Sequence, residues 1–533
     1  MLLFATLLFW ILSNNNAQAF QYDLVIVGGG AAGLFAAGSA SALGKQVAIV
    51  DLKQELGGGC TNAACVPSKA LRSIVRTSQS APEHVRSVVE AVRAREQPQQ
   101  MLERNSNLDL HFVQSCCFTD SHTMELSFRN STKCFIQSRH FLLSVGADPA
   151  IPFPFQDQAR AARLPLWTYR SILQPEETEF WDTVKSGHLR RLLIVGGGST
   201  ACELGQSLGR LLAHNTTLEL VAPALLSEED PSLQESAQKL LERAGVLCKL
   251  DVKMDKILEN KSIQLSDGSY LAPVDGILLC VGRSPQLESL HLHQAGVEWN
   301  KNGVSIRPST LQSISASHIF AAGDCADLID KRSRTSAHAA YMGFHAVRNM
   351  YVPWWLRIGS SSQHKVVPRV IYTDPEMARV GLTRKECQER YPDFQSVLVK
   401  EEGSDRADME RRERDTEVTF LELRASRSGQ ILGGTACGPA AAELANSMGV
   451  AITNRLSVRD LAKSIHSYPS HGYLLYRVAL SMALSDTRGF LESCGPVGKI
   501  LAGLIGAVGS SVRIIRSFFA AHVVREKPRT NNL

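Results

Sequence analysis

At 533 residues the chain is long enough for about three domains, and its 44% hydrophobic and 20% charged residues describe an ordinary globular protein. A net charge of +5, with no block of like charge, offers no basic arm for nucleic acid. The 12 cysteines follow neither a secreted-scaffold pattern nor a zinc-like Cys/His spacing, which sets aside a disulfide-stapled module and a zinc site.

Residues 1–19 begin with an apolar run from Leu2 to Leu12, followed by polar Ser13 to Asn16 and then Ala17-Gln18-Ala19. That order reads as a cleavable signal peptide, too short to span a bilayer, with an uncleaved anchor or a misassigned start as the alternative. It predicts a mature start near Phe20 in a secretory or organelle lumen or outside the cell; without such a leader the protein would be cytoplasmic. Asn130-Ser-Thr, Asn215-Thr-Thr and Asn260-Lys-Ser then become glycosylation candidates.

Tyr22 to Asp51 predicts strand, turn, helix and strand. Leu24 to Val27 is a buried strand, Gly28-x-Gly30-x-x-Gly33 the turn, and a small-residue helix runs to Leu43. Val47 to Val50 is the second strand, ending in Asp51, 18 residues after the last glycine. Placed between strand and helix, the glycines admit a pyrophosphate to the helix N-terminus, and Asp51 can accept from a ribose hydroxyl. Residues 57–69 follow, reading Gly-Gly-Gly-Cys-Thr-Asn-Ala-Ala-Cys-Val-Pro-Ser-Lys. Cys60 and Cys65 open a helix expected to run through Lys69 to Val75, and a thiol at a helix N-terminus ionises more readily. On an ideal helix, positions five apart have Cα atoms about 8–9 Å apart, beyond the roughly 7 Å limit for a disulfide. If the pair bridges, the turn is distorted. By spacing alone a structural or incidental pair is equally compatible.

Val85 to Arg95 reads as a charged surface helix, Glu96 to Gln100 as a turn, and His111 to Thr132 as hairpin strands. The stretch Asp148 to Pro165 is a proline-rich crossover. A second dinucleotide unit follows: strand Arg191 to Val195, turn Gly196-x-Gly198-x-x-Ala201, helix Cys202 to Leu212 and strand Leu218 to Ala222. The two glycine-rich loops, about 170 residues apart, indicate a duplicated fold. Arg406 to Asp415 reads as a solvated hairpin rather than a binding patch.

The 57–69 segment resembles the redox-active segment of the pyridine nucleotide–disulfide oxidoreductases, flavoproteins that include glutathione, lipoamide and mercuric reductases. This chain departs at Gly59 and Ala64, where the family usually has Thr and Gly. Phe141 to Ala147, with Gly146, resembles the strand that returns the chain to the FAD domain's edge. Asp275 to Pro285, with Gly282, resembles the strand closing the nicotinamide domain. Phe320-Ala-Ala-Gly323-Asp324-Cys325 resembles the second FAD fingerprint, whose aspartate binds the ribityl chain, with the following helix over Ala337 to Met350. From Pro368 through Gly433 to Ala462 and beyond, the chain resembles the interface domain. The likeness covers residues 22–485.

The resemblance implies an α/β protein with two Rossmann-like dinucleotide-binding domains, for FAD and NAD(P), and an α+β C-terminal dimerisation domain. Residues 20–155 and 283–355 would form the FAD domain, 156–282 the NAD(P) domain, 365–485 the interface domain and 486–533 a tail. NAD(P)H would reduce FAD, which would pass electrons to a Cys60–Cys65 disulfide, with Cys65 nearer the flavin and Cys60 meeting the acceptor. Lys69 and Glu203 would pair beside the flavin ring. Gly28, Gly30, Gly33, Asp51, Gly146 and Asp324 would hold FAD, while Gly196, Gly198, Ala201 and Gly282 would hold the nicotinamide nucleotide. A homodimer is implied.

Departures from the family narrow the acceptor. Where the disulfide reductases carry His-Pro-x-x-x-Glu from the partner subunit, this chain reads Tyr468-Pro469-Ser470-His471-Gly472-Tyr473. Glu229-Asp230-Pro231 and Tyr468 look towards mercuric reductases, yet the tail has only Cys494 in place of vicinal C-terminal cysteines. The expected acceptor is a metal ion, a quinone or a low-pKa disulfide. A diaphorase that bypasses the cysteines and a non-catalytic flavin-binding scaffold are the other readings. The apolar tail from Gly495 to Val524, broken by Lys499, Arg513 and Arg516, fits a membrane-surface helix or a docked arm better than a membrane span.

Nicotinamide choice turns on the end of the second strand of the second unit. NAD enzymes place an acid there and NADP enzymes an arginine nearby, whereas Ala222-Pro223-Ala224-Leu225 has neither. Both cofactors are expected to serve, with kcat/KM values within roughly a hundredfold, or about 2.7 kcal/mol. Steady-state kinetics with NADH and NADPH checks this, and a wider gap would reveal a determinant elsewhere.

Overall fold

Leu24 to Val27 carry apolar side chains at consecutive positions, which suits a strand buried on both faces. The computed structural model places Tyr22–Val27 (β1) inside a mainly parallel sheet. It describes residues 20–74, 80–95, 100, 105–328, 330, 334–353, 355, 366–400, 406, 419–493, 495–497 and 499–500. The leader 1–19, the turn 96–99, the charge run beyond Arg406 and the tail from residue 501 lie outside the described residues. No described helix is long and apolar enough to cross a membrane.

The chain divides into two units. The first comprises Met1–Cys65, Val89–Asp148 and Arg283–Gln363. Its strands are β1, Val47–Asp51 (β2), Leu108–Phe112 (β3), Ser115–Phe118 (β4), Thr123–Ser127 (β5) and Lys133–Leu143 (β6), in the order β3-β2-β1-β6-β5-β4. β1 and β2 pair in parallel with Leu24 opposite Val47, and the helix between them is Ala31–Ala42 (α1). β6 does not return the chain to an edge, as the resemblance implied. Its first half pairs antiparallel with β5, while its second half lies parallel between β1 and the strand Ile319–Ala321. An eleven-residue strand is long enough to serve both layers.

The second unit comprises Val66–Val88, Pro149–Gly282 and His364–Leu533. Leu166–Thr168 (β7), Arg191–Val195 (β8), Thr217–Val221 (β9), Val246–Lys249 (β10) and Gly276–Leu279 (β11) form a parallel sheet in the order β10-β9-β8-β11-β7. The proline-rich crossover before it contains a helix, Phe153–Ala161, with a proline just inside its start. A separate antiparallel sheet joins Arg369–Ile371 (β12), Glu376–Gly381 (β13), Gln395–Lys400 (β14), Phe420–Ala425 (β15) and Ile431–Gly438 (β16) in the order β12-β13-β16-β15-β14. Helices Ala441–Thr453 and Tyr473–Ser493 share an apolar core with it, and the latter runs past residue 485.

Within the second unit a buried charge network joins the Glu229-Asp230 pair to that antiparallel sheet. Arg424 is 0% exposed; its Nη1 donates to Asp230 Oδ2 at 2.7 Å and lies 3.2 Å from Glu422. Asp230 also accepts from Thr435 Oγ1 and from the Arg384 amide, and Glu229 accepts from Arg379. Burial pushes the Asp230 carboxyl up, but Arg424, the Arg384 amide and Thr435 outweigh it and hold it below the ordinary carboxylate range. The acids that look towards mercuric reductases therefore have a packing role here, one that the sequence did not reveal.

In the first unit, His140 on β6 packs edge-on against Phe320 and Tyr351, with centroids 6.3 and 5.5 Å away. Burial, aided by Arg139 and His318, pushes its pKa down to about 4. The imidazole is thus neutral in the folded protein. Between the ordinary 6.5 and about 4 the unfolded chain binds a proton that the folded chain refuses, so stability falls with pH through that window. The loss reaches about 2 kcal/mol by pH 5. His140→Phe keeps a ring in the cluster and removes the proton site. Its melting temperature is expected to drop less between pH 7 and pH 5 than that of the parent, and equal drops would refute this account.

Candidate active site

The turn after β1 brings the Gly28 backbone against the backbone of Ser144. At Gly28 (φ +104°) a Cβ would stand 2.5 Å from the Ser144 carbonyl oxygen, so only glycine fits. The next amide, Gly29 N, donates to Asp51 Oδ2 at 2.6 Å, and Asp51 Oδ1 accepts from Lys53 N at 2.9 Å. A carboxylate can accept further bonds, so Asp51 remains able to take a ribose hydroxyl. Gly30 caps α1 with no side chain bonded to the first amides, leaving the helix N-terminus to a ligand. Gly33 and Gly146 lie in the same unit, as does Asp324, whose Oδ2 is 2.6 Å from Arg283 Nη1. These residues fit FAD: an uncapped helix end for the pyrophosphate and carboxylates for the hydroxyls.

Two helices stand where one was expected. Cys60 lies inside Gly58–Asn62 (α2), and Cys65 is the first residue of Cys65–Ser73 (α3). Ala63, at φ −146° and ψ −2°, breaks the helix between them. Asn62 stabilises the break: its Nδ2 donates to the carbonyls of Glu55, Leu56 and Gly58, and its Oδ1 accepts from Arg93 at 2.8 Å. Cys60 and Cys65 therefore do not share one continuous helix, the geometry in which a five-residue separation is too long for a bridge. Both cysteines are half-buried. Cys65 Sγ lies 3.4 Å from Ser336 Oγ, at the first residue of the helix Ser336–Tyr351. Elsewhere, burial pushes Cys116 and Cys280 up to about 12 and Cys325 up to about 11, so these thiols stay protonated at neutral pH.

In the second unit, Gly196 (φ +116°) turns the chain from β8 into Ser199–Leu212 (α4). Gly198 caps α4 without a side-chain bond, and no atom stands within 4 Å of where its Cβ would be. Ala201 is buried against the strands, and Gly282 follows β11. This second cradle fits a nicotinamide dinucleotide as the first fits FAD. Lys69 Nζ donates to Glu203 Oε2 at 2.8 Å, so the predicted pair is formed. Sequence reasoning missed Ser336, Arg283, Arg72 and Tyr372. Of these, only Arg72 had a signal, since it lies three residues beyond Lys69 on α3.

Tyr468 is 56% exposed and meets Tyr473 edge-on at 5.4 Å. Tyr476 continues the row at 5.3 Å from Tyr473, with His466 5.6 Å from Tyr476. The two residues that replace the family's His and Glu thus touch each other.

Gly58 (φ +60°) crosses Gly30 so closely that a Cβ would stand 2.8 Å from the Gly30 Cα, whereas at Gly59 no atom stands within 4 Å. Gly58→Ala is expected to cost about 1–3 kcal/mol of stability and to weaken flavin retention. Gly59→Ala should gain up to about 1 kcal/mol from helix propensity and retain flavin. Chemical unfolding and flavin content of the purified variants check both; a Gly58→Ala protein that holds flavin like the parent would remove the constraint.

Residues 22–343 match the family described as pyridine nucleotide-disulphide oxidoreductase, and residues 367–474 match that family's dimerisation domain. Dihydrolipoyl dehydrogenase of Buchnera aphidicola is 25% identical over 483 residues, covering 85% of this chain and 94% of that protein. Mercuric reductase of Lysinibacillus sphaericus is 26% identical over 471 residues, covering 84% and 80%. The HOCl-induced flavoprotein disulfide reductase RclA of Escherichia coli shares the fold, with a TM-score of 0.73 at 22% identity over 86% of this chain and 99% of that one. Family members use FAD and NAD(P)H. With both cradles inside the first match and the antiparallel sheet inside the second, the chain belongs to the pyridine nucleotide-disulphide oxidoreductases, as an oxidoreductase with FAD- and NAD(P)-binding domains and a dimerisation domain.

Proposed function

We propose that the protein is a homodimeric NAD(P)H-dependent flavoprotein that passes electrons through Cys60 and Cys65 to a metal ion, a quinone or a low-pKa disulfide. FAD, when bound, supplies the two-electron carrier between NAD(P)H and the thiols. The observation that carries the choice of acceptor is the Tyr468–Tyr473 contact, which stands where a His–Glu acid–base pair would be needed for ordinary disulfides.

Cys65 opens α3 with the Ser336 hydroxyl 3.4 Å from its sulfur, and a helix start is the place where a thiolate is generally stabilised. One turn on, Lys69 is held by Glu203. Cys60, inside the short α2, is the thiol offered to the acceptor. With a disulfide acceptor, the Cys60 thiolate attacks one sulfur and releases the other as a thiolate. Cys65 then attacks Cys60, releasing the second thiolate and closing the Cys60–Cys65 bond.

Each released thiolate of ordinary basicity needs a proton, and a positioned histidine speeds such steps by roughly 10²–10⁴. A tyrosine of pKa about 10 is a poor base at neutral pH and cannot shuttle protons as imidazole does. Soft metal ions, quinones and disulfides with weakly basic leaving groups make the smallest demand at that position. Of the residues that look towards mercuric reductases, Tyr468 is the one exposed and available for chemistry, since Glu229 and Asp230 are occupied in packing.

The test assays the parent, Tyr468→His, Tyr468→Phe and Cys60→Ser on glutathione disulfide, lipoamide, a quinone and a soft metal ion. Weak turnover of glutathione disulfide and lipoamide by the parent is expected, with a gain on both for Tyr468→His. Ordinary reductase rates of the parent on glutathione disulfide would end the proposal. Full turnover by Cys60→Ser would point to a diaphorase instead.

A further inference from the structure

The Lys69–Glu203 pair has a third member that nothing in the sequence marked. Lys69 Nζ lies 4.1 Å from the centre of the Tyr372 ring. The backbone of the same residue reaches the other partner: Tyr372 N donates to Glu203 Oε1 at 3.0 Å. The carboxylate is therefore shared, with Oε2 taken by the ammonium and Oε1 by the amide.

Tyr372 is fixed from both sides. On α4, residues Glu203, Gln206 and Arg210 recur at helical spacing on one face. Gln206 donates to the Asp374 carbonyl oxygen and accepts from the Asp374 amide, both at 2.8 Å, and Arg210 donates to the same carbonyl and to Asp374 Oδ2. On α3, Arg72 donates to the Thr373 carbonyl oxygen at 3.0 Å and pairs with Glu376. The link 372–375 between β12 and β13 of the C-terminal sheet, with Glu376 at the start of β13, is thus pinned by two helices while the ring covers the ammonium.

We propose that Tyr372 is a positioning residue for Lys69: its ring and its amide hold the Lys69–Glu203 pair in one arrangement, so the dimerisation domain helps set the charge beside the flavin. This rests on the reading above that Lys69 stands at the flavin ring. A lysine has three rotatable donors on a flexible stem; here one reaches Glu203 Oε2 at 2.8 Å and another the neighbouring Ser68 Oγ at 3.2 Å, which still leaves the ammonium several orientations as it tilts between them. An aromatic face on its other side selects one, since the ammonium is drawn to the ring. A fixed positive charge favours electron arrival on the flavin, whereas a wandering one does so less.

The experiment compares holoenzyme variants Tyr372→Leu, Tyr372→Met, Tyr372→Phe and Lys69→Gln. The readouts are the flavin midpoint potential, the rate of flavin reduction by NADPH in anaerobic stopped flow, and the melting temperature. Leu or Met at 372 is expected to lower the potential and to slow reduction about tenfold, the effect of losing one partly desolvated cation–π contact. Phe, which keeps the ring, should restore parental values. Two ring-less variants guard against one that fails to fold. A role in packing alone would lower the melting temperature of Leu or Met while leaving the potential unmoved, and that result overturns the proposal. If Lys69→Gln also leaves the potential unmoved, Lys69 is not at the flavin and the reading beneath falls with it. A shift for Lys69→Gln with none for Leu or Met overturns the role of Tyr372 alone.

Discussion

The redox segment sits where it does because two glycine backbones touch. A Cβ on Gly58 would stand only 2.8 Å from the Gly30 Cα, and Gly30 is the residue that caps the first dinucleotide helix. Backbone contact of this kind leaves little freedom in the short helix carrying Cys60. The Asn62 side chain, bonded to two carbonyls of the preceding loop and to that of Gly58 within the helix, then ties the end of that helix to its start, three residues before Cys65 begins the next. Cofactor loop and cysteines are thereby held together by main-chain geometry, which tolerates sequence change around it. The departures at Gly59 and Ala64 fall beside that contact and leave it intact.

Chemistry at neutral pH is confined to a few groups by burial. Desolvation disfavours every charged form, so a thiol packed into a strand or helix core stays protonated, as Cys116, Cys280 and Cys325 do. Buried groups that remain ionised have counter-charges at hydrogen-bond distance, as Asp230 has in Arg424. Cys60 and Cys65 are only half-buried, and Cys65 stands at a helix start. Reactivity in this chain follows environment rather than cysteine number.

What could be read from the sequence was what neighbouring residues encode. Both dinucleotide turns stood in the right strand–helix context, since GxGxxG and its following helix are local, and the Lys69–Glu203 pair was reachable through the family likeness. The sequence called for a distorted cysteine turn only if the pair bridges, and the break at Ala63 with Asn62 beside it carried no signal of its own. The edge position expected for β6 came from the family likeness alone, and nothing in the run itself shows how many neighbours the strand has. Arg424 with Asp230, and Tyr372 with Lys69 and Glu203, join residues more than 160 positions apart, and no periodicity or motif marks such partners.

The Arg424–Asp230 pair also bears on how proteins of this kind can be recombined. The two residues lie 194 positions apart, on either side of the junction between a nucleotide-binding sheet and a dimerisation sheet. A C-terminal half borrowed from a relative lacking this arginine would seal Asp230 from water without its counter-ion. That mismatch costs about 3–5 kcal/mol, a large share of a domain's stability. Chimeras across the junction therefore obey a matching rule, in which the acid and the arginine travel together or are both replaced by apolar side chains of similar volume.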